Sequence, residues 1–82
     1  MIAGAGPRDT SLELAQDRLT AAARDFTTTP TRRGADVVLE RFVTLWRRRN
    51  GRCSAGLDTE LVRLERRMAA AIAAAEEGRV HA

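Results

Sequence analysis

Few residues in this chain are equipped for catalysis. The only cysteine, Cys53, falls in a predicted loop, and the only histidine, His81, is the penultimate residue. Nucleophilic catalysis needs a thiol or hydroxyl with a base in reach, and nothing in the pattern brings these two together. Glu76 and Glu77 are adjacent acids on a predicted helix, where neighbouring side chains diverge by about 100°; solvation accounts for them. Gly4-Ala5-Gly6 looks like a fragment of a dinucleotide fingerprint, but no strand precedes it. No His/Cys set has zinc-ligand spacing. The sequence therefore predicts a non-enzyme, with no metal, no cofactor and no small-molecule substrate.

The remaining chemistry is cationic. Residues 44–53 read TLWRRRNGRC, one tryptophan followed by three arginines and an Asn-Gly stop. On a helix, Arg47, Arg48 and Arg49 point about 100° apart and fan around the surface, whereas phosphate tracking wants repeats of three or four. They also stand in a last turn, where cations interact favourably with the helix dipole. Trp46 falls on the apolar side and reads as core rather than as a base-stacking platform. A subtler pattern is segregation. Arg41 and Arg48 share a flank of the second helix, and Arg52 follows its cap. On the third helix Arg63, Arg66 and Arg67 share one flank, opposite Asp58, Glu65 and Glu76. If those flanks meet, the six arginines Arg41, Arg48, Arg52, Arg63, Arg66 and Arg67 form a surface for nucleic-acid backbone or an acidic protein.

Composition qualifies that pattern. The net charge is +3, and all fourteen basic residues are arginine. Fifteen alanines beside no lysine are what a GC-rich coding bias produces, so arginine in place of lysine says little. Position says more: residues 35–56 carry five arginines against two acids, while residues 57–82 carry four against five. A lone cysteine excludes an internal disulfide framework. MIAGAGPRDT lacks the basic and apolar regions of a secretory signal, and no run approaches the roughly 18 apolar residues of a membrane span. The expectation is a cytoplasmic protein with no membrane partner.

Spacing supplies the elements that position these groups. Thr10-Ser11-Leu12-Glu13 has the capping-box form. After it Leu12, Ala15, Leu19, Ala22 and Phe26 recur at steps of three and four, predicting a helix over about 11–27. Thr29 before Pro30 is a reasonable cap, but Gly34 sits awkwardly, so the firm second helix is placed at about 35–50. There Val38, Leu39, Phe42, Val43, Leu45 and Trp46 cover an arc roughly 160° wide, enough to face two neighbours. Ser54 or Asp58 can cap a third helix over about 57–77. It carries Leu57, Leu61, Leu64, Met68, Ala71 and Ala75 as a seam, with Ile72 beside it, and Gly78 ends it.

The predicted architecture is all-α: a small up-down-up three-helix bundle over residues 10–78, with tails at 1–9 and 79–82. Its core should centre on Phe42, Trp46, Leu61 and Leu64, with Leu19 and Phe26 packed on them. One core in so short a chain supplies only about 3–5 kcal/mol, which makes completion by a second chain attractive. The runner-up is a helical hairpin whose first helix packs on another chain. The leading functional expectation is a protein-protein interaction, adaptor or assembly subunit. Its partner would be another protein or a second copy, contacted through the alanine-rich Met68, Ala71, Ile72 and Ala75. The alternative is a nucleic-acid-binding regulator using the arginine flanks.

Overall fold

The computed structural model describes residues 10–81, with side chains described through residue 79. Three helices follow one another, α1 (Thr10–Thr28), α2 (Arg32–Asn50) and α3 (Leu57–His81), and the described residues contain no strand. This is the all-α, up-down-up three-helix bundle that the spacing predicts. The expected tail at residues 1–9 lies outside the described residues.

Side chains punctuate the helix ends. At the end of α1 the hydroxyls of Thr27 and Thr28 donate to the carbonyls of Ala23 and Arg24, at 2.9 and 3.1 Å. Such back-bonding lets β-branched residues extend the last turn before Pro30. The start of α2 differs from the sequence reading. Thr31, not Thr29, is the cap: it is extended (φ −134°, ψ 158°) and its hydroxyl accepts from the Gly34 backbone N–H at 2.9 Å. Gly34 is thus a first-turn residue, not a break. A Cβ there would lie 3.1 Å from the Thr31 hydroxyl oxygen and 3.5 Å from the Phe26 ring. Its missing side chain lets the cap and the core share one turn.

Gly51 ends α2 at φ 60°, donating its N–H to the Arg47 carbonyl at 2.8 Å, as the Asn-Gly pair predicts. The loop that follows is held by Trp46, whose indole N–H donates to the Cys53 carbonyl at 3.0 Å. Gly56, at φ 84°, precedes α3 beside the same ring. Neither Ser54 nor Asp58 takes the cap position; Asp58 and Glu60 lie in the first turn, where carboxylates suit the helix dipole. α3 then continues through Gly78 to His81, beyond the expected end at 77, so residues 79–81 are helix and not tail. The run of alanines before Gly78 is strongly helix-forming and outweighs one exposed glycine.

α2 lies between the other two helices. Among the described residues no Cα of α1 comes within 8 Å of one in α3. The two shorter principal extents, 27 and 13 Å, describe a slab rather than a closed triangle. The largest buried cluster is Ala22, Phe26, Ala35, Val38 and Met68, with Leu19, Leu39, Leu64, Ala71 and Ile72 against it. It gathers where α1 turns into α2. The expected centre is therefore displaced: Val38 and Met68 are the most buried residues, at 3% and 4% exposure, while Phe42, Trp46, Leu61 and Leu64 are half-buried. α1 and α3 each cover one edge of the α2 arc, and its middle stays partly open.

Candidate docking groove

That opening is a groove of about 730 Å³. Leu19 and Ala23, one turn apart, form the α1 wall; Val38 and Phe42, again one turn apart, line its middle. The opposite wall is α3, where Leu64 continues the apolar surface and Glu60, Arg63, Arg66 and Arg67 form the lip. Beyond Phe42 and Glu60 the surface runs on into a hollow that also includes Leu45, Trp46 and Arg49. Past Leu19 and Ala23 it meets a second hollow bearing Arg24.

The lip is strongly one-signed. Glu60 accepts from Arg63 at 3.4 Å, and both side chains are largely in water, so the pair is worth ~0–1 kcal/mol. Among the described residues Arg66 and Arg67 have no ion pair. Trp46 stands at one end, its ring centroid 6.1 Å from that of Phe42 and tilted by 39°. With its N–H held by the Cys53 carbonyl, it anchors the loop.

The six arginines divide into separate groups. Arg41 and Arg48 line a small hollow with Ser11, Ala15 and Arg18 in the seam between α1 and α2, and Arg48 Nη1 donates to the Ser11 hydroxyl. Arg63, Arg66 and Arg67 line the groove between α1 and α3, and these two surfaces share no residue. Arg52 is exposed in the loop. The consecutive triplet also fans apart: Arg47 gives its carbonyl to the cap, Arg48 reaches α1, and Arg49 turns toward the groove end.

The strip proposed from sequence for chain-chain contact is largely occupied within the chain. Met68 lies in the buried cluster, and Ala71 and Ile72 pack against it; Ala75 is half-buried. What α3 offers outward at that end is the exposed Ala69, Ala70, Ala73 and Ala74. The groove itself was not anticipated, although its signal existed. An arc of about 160° on α2 needs two broad apolar partners, and the α1 stripe Leu12, Ala15, Leu19, Ala22 and Phe26 is a single row alternating large and small side chains.

Cys53 is an exposed free thiol, and no three His, Cys, Asp or Glu residues gather as a metal set among the described residues. No described helix is long and apolar enough to cross a membrane. No protein-family model matches the chain, and no curated protein or solved structure matches it either.

Proposed function

We propose that this protein is a small, non-catalytic interaction subunit that acts by holding another protein, in the cytoplasm. One observation carries the reading: the groove between α1 and α3 leaves Leu19, Phe42 and Leu64 only half-buried over the middle of α2's apolar arc, with Val38 buried beneath. A concave apolar surface with a polar rim has the anatomy of a small interface core. A thin core adds to the motive. No described side chain falls below 2% exposure, so a partner that covers this groove also completes the fold. The division of the arginines supports protein over nucleic acid, because Arg41 and Arg48 stand apart from Arg63, Arg66 and Arg67. A cytoplasmic setting suits the single unpaired thiol.

The test is purification of the tagged chain from its source cells, with and without nuclease. A protein partner that survives nuclease and is lost with Ala23→Glu is the expected result. Ala23 is exposed on the groove wall, and Glu is a good helix former, so this substitution spares the fold. Association that disappears with nuclease would instead establish the nucleic-acid regulator.

A further inference from the structure

The interaction reading leaves the occupant open, and the groove's own chemistry narrows it. Resting on that reading, we infer that the groove receives an acidic amphipathic helix from a different protein, laid along α2 between α1 and α3.

Shape gives the first part. The surface from Val38 to Arg49 spans eleven residue steps of α2, about 16 Å at 1.5 Å per residue. Three turns of a docking helix fit that length, with apolar side chains at i, i+4 and i+7 or i+8 against the half-buried Leu19, Phe42 and Leu64. Charge gives the second part. Around the opening stand Arg63, Arg66 and Arg67 on α3, Arg24 beyond the α1 wall and Arg49 at the Trp46 end; the only acid lining these hollows is Glu60, while Arg66 also borders a hollow on its other side with Asp36, Glu65 and Glu76. Carboxylates flanking the apolar stripe meet guanidinium groups on both sides, which favours encounter and fixes orientation.

A second copy of the chain is the wrong occupant. Among the described residues the exposed large apolar side chains are Leu14, Val37 and Val62, one on each helix, and the exposed strip of α3 is alanine, so no row of large apolar side chains is offered for insertion. Groove-to-groove pairing with the two-fold axis across the groove would set two arginine lips against each other, and with the axis along it would bring each lip to the Arg24 side of the other copy. Nucleic acid fits poorly for a different reason. Phosphates would satisfy the lip but leave the apolar surface of Leu19, Phe42 and Leu64 unfilled.

A random peptide library displayed against the intact protein tests this directly. Enriched peptides should share an apolar three-four spacing with Asp or Glu on its flanks. A representative, measured by calorimetry, should bind about tenfold or more weakly to Arg66→Glu/Arg67→Glu protein, and more weakly as salt rises. Its Lys-for-Glu counterpart should show the opposite preference. Both arginines are exposed, so circular dichroism should show an unchanged fold. No enrichment, basic or patternless enrichment, or binding indifferent to the charge reversal overturns the inference. A dimer that Ala23→Glu dissociates would keep the interaction reading and sink this occupant. Duplex DNA binding at about 50 mM salt, without peptide binding, would sink both.

Discussion

Phe26 and Phe42 are the only phenylalanines in the chain, both sit on predicted apolar stripes, and their fates differ. Phe26 is 8% exposed, enclosed by Ala22, Ala35, Val38 and Met68 where α1 turns into α2. Phe42 lies in the middle of the molecule's widest apolar arc and is half-buried beside the groove. The turn end has a short connection and a glycine in the first turn of α2, so all three helices contribute to one cluster. The groove has a helix on either side but none above it. Hydrophobicity selects which residues avoid water; the placement of the neighbouring helices decides which of them succeed.

The sharpest way to break this comparison is truncation. Phe26→Ala should cost ~3–5 kcal/mol and leave the chain largely unfolded, as read by urea titration of the helical signal. Phe42→Ala should cost only about 1–2 kcal/mol, since less area is lost from a half-buried ring. Equal losses would mean that the groove is closed in solution. A smaller effect follows from the cap that organises the turn end: Thr31→Ala should lower stability by ~1 kcal/mol, with earlier hydrogen exchange in the first turn of α2. Unchanged exchange would show that Thr31 does not hold that turn. The smallest effect belongs to the groove lip. Arg66→Gln with Arg67→Gln should shift stability by less than about 0.5 kcal/mol, because neither side chain is buried or ion-paired. A larger loss would make those arginines structural and remove them from the docking surface.

Much of the fold was legible because it is local. Leu12, Ala15, Leu19, Ala22 and Phe26 announce α1 by spacing alone, and Asn50-Gly51 marks the end of α2 by backbone preference. The two boundary errors have specific causes. Gly34 reads as a helix breaker until its hydrogen bond to Thr31 and the room that Phe26 leaves beside it are known, and Gly78 reads as a stop until the alanine run is weighed against it. The site was less legible because it depends on how helices are rotated and spaced. Whether Arg48 points toward Arg66 or toward Ser11 is a property of the α1–α2 seam, which no single helix encodes. Met68 belongs equally well to an outer or an inner seam until Phe26 is placed opposite it.

The bond from the Trp46 indole to the Cys53 carbonyl has a consequence for observation. This is the only tryptophan in the chain and there is no tyrosine, so ultraviolet emission comes from one place. That place touches the loop between α2 and α3 on one side and the Phe42 end of the groove on the other. The protein therefore carries its own optical probe. Release of the loop should shift the emission to the red as water reaches the ring. A helix arriving in the groove should shift it to the blue, so opposite changes of colour distinguish local opening from occupancy in an unlabelled sample.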